Sequence, residues 1–396
     1  MHAVLPPGTA ASFAKPACAV NVYGIISENV CESIGHWRGL LYWRLREDLN
    51  KTMIGIKRLA QQLNLSIGTV SRALNNRPDV SEATRRRVQD VARQLGYVPN
   101  QSGRSLRRGQ TGVVAFMMQT GHNITGHGDT FIMGVFNGIQ TALARHHLDL
   151  VALLCPSDED AEGYLKRMVS RSFADGIILS STQRVDRRID FLAERGVPFV
   201  TLGRSQSDAG QPWIDTDFAG MAERSIDRLV RKGHRRIAIT VPDDETNLGF
   251  VFTEAARAAL AAHGLGLDPQ LVFGFVPNEA SGYDIADRLL ALPDRPSAIV
   301  LLNPSLTTGL YRRLGEAGVE PGGDIAVIGR DSPQSPFLSP RLTYFREDLD
   351  SLGVALGKAL LASMPRYAKA YPAGIIRQVW PTELIEGESD AFTLKR

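Results

Sequence analysis

Residues 56–109 constrain this chain more than any other stretch: IKRLAQQLNLSIGTVSRALNNRPDVSEATRRRVQDVARQLGYVPNQSGRSLRRG. Ile56, Leu59, Ala60 and Leu63 recur at helical spacing, so a first short helix is expected behind the permissive N-cap Gly55. It should end near Asn64, a residue that tolerates the left-handed backbone of a helix exit. Ser66 reads as the N-cap of a second helix over 67–75, its hydroxyl accepting from the Thr69 amide. That helix puts Val70, Ala73 and Leu74 on one side and leaves Gly68, Thr69, Ser71 and Arg72 on the other. Small residues on an exposed face permit close approach to a nucleic-acid backbone. Arg72 can donate two parallel bonds to guanine O6 and N7. Asn75, Asn76, Arg77 and Pro78 form the exit turn, and a third helix begins at Ser81 and runs to Gly96, a suitable C′ glycine.

Charge points the same way. Residues 51–112 hold 12 Lys/Arg against 3 Asp/Glu, the first fifty residues balance at four and four, and the rest holds 29 against 35. The net charge of +3 therefore hides a basic head on an acidic body, a distribution suited to a nucleic-acid partner. Arg85, Arg86 and Arg87 lie in the first turns of the third helix, where the helix dipole disfavours cations, and Arg86 and Arg87 read as a solvated face.

The spacing LAQQLNLSIGTVSRALN, the segment RPDVSEATRRRV, GYVPN and a basic hinge with Ser-Leu follow in one order. In this the chain resembles the LacI/GalR family of transcriptional regulators over roughly residues 54–389. The resemblance implies an all-α helix-turn-helix DNA-binding head joined to an α/β two-lobed, periplasmic-binding-protein-like effector domain. It implies double-stranded operator DNA as partner, with Ile67, Gly68 and Arg72 in the major groove. Ser66, Thr69, Ser71, Asn75 and Asn100 would accompany them at the DNA, with Thr69, Ser71 and Asn75 on phosphates. Residues 100–106 match the hinge helix of the family, and Leu106 matches its minor-groove wedge, which unstacks a base step in return for contact on bent DNA. Gly103 stands where many relatives carry Ala. Glycine costs about 1 kcal/mol in a helix, so this hinge helix should depend more on DNA for its folding.

The organisation expected is an extension over 1–52, a head over 53–99, a hinge over 100–111 and a ligand-binding and dimerisation domain over 112–390. Residues 1–52 lack the basic start and apolar core of a signal peptide. The expectation is a natural start at or near Met53, with a misassigned or disordered extension before it; a regulatory arm is the competing reading. From residue 112 apolar strand patterns (GVVAFMM, LDLVALL, DGIILS, VPFVTLG, PWIDTD, RRIAITV, LVFGFV, SAIVLLN, DIAVIG, LTYFRED) alternate with helical ones, which implies parallel sheets covered on both faces.

Ligands in open α/β sheets sit at the carboxyl ends of strands, and in a two-lobed protein those ends face a cleft. The candidate ligand residues are therefore Asp129, Phe131, Arg204, Asn247, Phe252, Asn303 and Asp331. Amide, carboxylate and guanidinium groups suit sugar hydroxyls, and an aromatic ring suits a sugar's apolar face. Phe252 aligns with a position where relatives often carry a basic residue, and Pro304 replaces a common Asp. The missing basic residue at Phe252 makes an anion held there less favoured and a neutral saccharide more so. Bland alternatives exist: Asp331 as a loop cap, Arg204 as an interlobe ion pair, Asn247 as a turn residue, Trp213 and Phe252 as packing aromatics.

Cys18, Cys31 and Cys155 show no metal or redox spacing, and a reducing cytoplasm fits their odd number. The eight histidines form no ligand-like cluster, no apolar run is long enough for a membrane span, and no cofactor is expected. No GxSxG, phosphate-binding loop or dinucleotide fingerprint occurs, so the chain reads as no enzyme. The function expected is a homodimeric repressor released by a sugar. The alternatives are a corepressor-dependent regulator and a sugar-binding protein without a DNA role.

Overall fold

The computed structural model describes residues 55–97, 110–120, 128–371 and 374–391, with only the backbone for 128–130. The extension over 1–52, the hinge residues Asn100, Gly103 and Leu106, and the Asp129 side chain therefore lie outside the described residues. The chain divides after residue 100 into two compact units.

Among the described residues the first unit holds three helices, α1 (Ile56–Leu63), α2 (Ile67–Leu74) and α3 (Glu82–Gln94). Asn64 ends α1 in the left-handed conformation at φ 52°, so the chain turns within three residues. Ser66 caps α2 by accepting from the Thr69 amide at 3.0 Å, and Ser81 caps α3 from Thr84. Leu59, Ala60, Leu63, Val70, Ala73, Val80, Val88 and Ala92 form the core. So small a core leaves little margin, and arginines stitch the turns. Arg85 donates to the carbonyls of Arg77 (2.9 Å) and Val80 (3.2 Å), and Arg87 donates to that of Leu63 (3.4 Å). Arg86, exposed, pairs with Glu82.

The second unit alternates strand and helix: β1 (Val113–Gln119), α4 (Gly128–Ala144), β2 (Asp149–Cys155), α5 (Ala161–Ser170), β3 (Gly176–Leu179), α6 (Arg187–Glu194), β4 (Phe199–Leu202) and β5 (Trp213–Thr216). There follow α7 (Phe218–Arg231), β6 (Ile237–Pro242), α8 (Asn247–Ala262), β7 (Val272–Phe275), α9 (Glu279–Leu290), β8 (Ala298–Val300) and α10 (Ser305–Glu316). The unit closes with β9 (Ala326–Arg330), β10 (Thr343–Arg346), α11 (Leu349–Ser363), β11 (Arg377–Trp380) and β12 (Glu383–Ile385). Among the described residues two six-stranded sheets form, in the orders β11-β5-β4-β3-β1-β2 and β12-β10-β9-β8-β6-β7. Their strands pair in parallel except β12, which is antiparallel to β10. Each sheet is the middle layer of a lobe.

The chain crosses between lobes after β5, after β10 and between β11 and β12. Each lobe also holds a helix pair in backbone contact through glycine. A Cβ on Gly138 of α4 would lie 2.0 Å from the Asp350 carbonyl oxygen of α11, and one on Gly309 of α10 would lie 1.8 Å from that of Glu279 in α9. Strands β11 and β12 were not apparent in the sequence. Both are short and mostly exposed or half-buried, without the apolar run that marks the inner strands.

Candidate nucleic-acid interface and ligand cleft

Helix α2 presents one face of its own unit to solvent. Ile67 is 41% exposed, Gly68 and Arg72 are exposed, and Thr69 and Ser71 are half-buried. Among the described residues the Arg72 side chain makes a loose 3.6 Å approach to Asp79, both groups more than half exposed. An ion pair of that kind is worth little and leaves the guanidinium available. Val70 and Ala73 anchor the opposite face in the core. The Asn75 side-chain amide donates to the Ser71 carbonyl at 2.7 Å and so closes the helix end. The Ser66 hydroxyl is likewise engaged in capping.

In the second unit the carboxyl ends of both sheets face one cavity of about 590 Å³. Four of the residues expected there line it: Phe131, Arg204, Asn303 and Asp331. Arg204 follows β4, and its Nε donates at 2.7 Å to Asp215, whose side chain is almost wholly buried. The partner belongs to the same lobe, so this is not an interlobe pair. The guanidinium also lies 5.6 Å from the Trp213 ring centre. Burial raises the Asp215 carboxyl above its ordinary value, with the Arg204 guanidinium opposing the shift. Asn303 accepts from the Ser305 amide at 2.9 Å, which fixes the loop into α10, and Pro304 enters that helix with the φ of −65° its ring imposes. Asp331 is exposed at the cavity edge. Desolvation raises its carboxyl, and Arg346 pulls it down.

Two expected ligand residues do not face this cavity. Phe252 is 1% exposed and belongs to the core of the second lobe. It shares one face of α8 with Ala255, Ala256, Ala259 and Leu260, at the helical spacing that defines a buried stripe. The alignment that placed it at the ligand is corrected by this periodicity. Asn247 is buried at the start of α8, where its backbone N–H donates to the Thr182 carbonyl of the other lobe at 2.9 Å.

The structure adds a pair absent from the residues expected at the ligand. Arg330 ends β9 and donates to Glu347 at 2.7 Å; Glu347, 3% exposed, sits in the crossing after β10. Thr216, the last residue of β5 before the crossing, donates to the other Glu347 oxygen at 3.2 Å. The Arg330 guanidinium lies 5.7 Å from the Phe131 ring centre and 5.4 Å from that of Phe218. A cleft arginine is thus tied to two of the segments that join the lobes. The signal was present, since both residues stand at strand ends, the rule that had selected Arg204. Among the described residues, no helix is long and apolar enough to cross a membrane.

A family model described as bacterial regulatory proteins, lacI family, matches residues 55–100, and one described as periplasmic binding protein-like domain matches residues 226–389. The HTH-type transcriptional regulator AglR of Rhizobium meliloti is 30% identical over 339 residues, 84% of this chain and 93% of that protein. The probable HTH-type transcriptional repressor ExuR of Bacillus subtilis is 27% identical over 312 residues, 78% of this chain and 91% of its own length. A solved complex of the transcriptional regulator CelR with cellobiose superposes with a TM-score of 0.63 at 26% identity, covering 85% of this chain and 99% of that one. The lac repressor dimer bound to operator and the anti-inducer ONPF gives 0.74 at 19% identity with the same coverage, a likeness of fold.

Proposed function

This chain belongs to the LacI family of bacterial regulatory proteins and is a DNA-binding transcriptional regulator, and from that premise we propose that it is a homodimeric cytoplasmic repressor released by a neutral saccharide. Residues 53–99 read DNA, 100–111 act as hinge, and 112–390 bind ligand and dimerise. Ile67, Gly68 and Arg72 meet base edges, with Thr69 and Ser71 at phosphates. Two heads in a symmetric dimer read the half-sites of a pseudopalindromic operator.

Phe131, Arg204, Asn303, Asp331 and Arg330 hold the ligand. The observation that carries its class is that Arg204 and Arg330 are each already paired at 2.7 Å with a buried carboxylate. A neutralised guanidinium keeps N–H groups for hydroxyl oxygens but offers no net charge to an anion. Among the described residues the charged lining is three arginines, Arg204, Arg330 and Arg346, against four carboxylates, Asp215, Asp244, Asp331 and Glu347. Sugar phosphates and sugar acids are disfavoured there. Likeness to a regulator solved with cellobiose supports the saccharide class.

Ligand closing the cleft alters the crossings, changes the spacing of the two hinges and lowers operator affinity. The coupling is reciprocal, so operator must weaken saccharide binding by the same factor. Fluorescence anisotropy on DNA from upstream of the gene, with a panel of mono- and disaccharides at fixed salt, tests this; salt is fixed because phosphate contacts make affinity fall steeply with ionic strength. Tight binding released by one neutral sugar is the expected result. Binding strengthened by the sugar would make the ligand a corepressor, and release by a sugar phosphate alone would overturn the class.

A further inference from the structure

Besides the three covalent crossings, the lobes meet through a fourth connection. The loop after β3 lies beside the loop before α8 as a short antiparallel bridge between Gln183 and Thr246. The Arg184 amide donates to the Glu245 carbonyl at 3.1 Å, and the Asn247 amide donates to that of Thr182 at 2.9 Å. The Arg184 guanidinium lies 4.7 Å from the ring centre of Phe250, which is otherwise 37% exposed.

Both arms are fixed by their own lobe. On the first, Asp186 is fully buried and pairs with Arg188 at 2.7 Å. Asp186 also accepts from the Gln183 amide at 3.1 Å, and Arg188 donates to the carbonyls of Ser180 and Ser181. Ser205 and Gln206 hold the Arg184 carbonyl. On the second, Asp244 accepts from the Thr246 amide at 2.9 Å. Pre-organised arms lose little conformational freedom when they meet.

We propose that residues 182–184 and 245–250 form a latch that biases the lobes toward closure, and that Arg184 and Phe250 are positioning residues that set ligand affinity without touching ligand. The consequence for affinity rests on the cleft being the ligand site. Neither side chain lines the cavity, whereas their neighbours Thr182, Thr246 and Leu248 do. Apparent affinity scales with the fraction of molecules already closed, so loosening the latch weakens binding even with every ligand contact intact. Two backbone bonds and one cation–ring contact make a connection small enough to open reversibly.

Hydrogen exchange of the full-length protein, without ligand or DNA, tests the latch at the amides of Arg184 and Asn247. Phe250→Ala and Arg184→Ala should each speed exchange there by roughly two- to fivefold, the scale of a surface cation–ring contact. The double variant should be no faster than either single one, and Phe250→Trp should keep the wild-type rate. Amides of β6 serve as reference and should not change. Unchanged exchange in Phe250→Ala, multiplicative effects in the double variant, or an equal rise in β6 would each overturn the latch. Because neither sugar nor operator is present, such a failure would leave the saccharide reading standing, and a failed sugar titration would leave the latch standing.

Discussion

The exposed face of α2 and the cleft of the second unit both present arginine, but they hold it in opposite ways. Arg72 is more than half exposed and loosely paired at 3.6 Å, whereas Arg330 is largely buried and held by Glu347 at 2.7 Å. A group that reads DNA can stand in water until its partner arrives, because the partner brings the opposite charge. A group inside a cleft must be neutralised in advance, since a buried uncompensated charge costs several kcal/mol. The face of α2 can therefore be altered without cost to the fold, and the cleft cannot.

The largest expected effect breaks the cleft side of this contrast. Glu347→Gln strands the Arg330 guanidinium and should destabilise the second unit by about 3–5 kcal/mol, read in chemical denaturation. Replacing the pair together, Arg330→Met with Glu347→Leu, should recover most of that loss. On the other side, Arg72→Ala should leave stability within about 0.5 kcal/mol of wild type. It should nonetheless remove about 1–3 kcal/mol of discrimination between operator and a site altered at one guanine, measured by competition binding. Ser66→Ala sharpens the boundary, because this residue of the proposed DNA-facing segment is a cap; about 1 kcal/mol of head stability should be lost in thermal unfolding.

The smallest effect concerns pH. Desolvation at the cavity edge raises the Asp331 carboxyl. In the window between its unfolded and folded values the folded state binds more protons, so this group's contribution to stability rises as pH falls. Saccharide affinity should move the other way, since protonation removes an acceptor from the ligand. Asp331→Asn should reduce the pH slope of both, measured by calorimetry across the acidic range.

The same contrast explains what the sequence made legible. The head was readable almost residue by residue, because Asn64, Ser66 and Ser81 mark boundaries locally and the face of α2 follows from helical spacing. The alternation of strand and helix in the body was equally plain. The cleft is assembled from strand ends far apart in sequence, so position after a strand found Arg204, Asn303 and Asp331 but said nothing of which partner each would meet. Arg330 and Glu347 satisfied that rule and were missed because their significance lies in their pairing, 17 residues apart. Phe252 faces the core because the apolar stripe running from it to Leu260, and not its aligned position, sets its direction.

The most direct test sets Arg72→Ala beside the paired Arg330→Met, Glu347→Leu variant in one anisotropy experiment, on operator and mismatched DNA, with and without the saccharide that releases the wild type. The account predicts that the first loses discrimination but still responds to sugar, while the second binds operator like wild type and no longer responds. Loss of both properties in either variant would contradict the separation of reading from response on which the account rests.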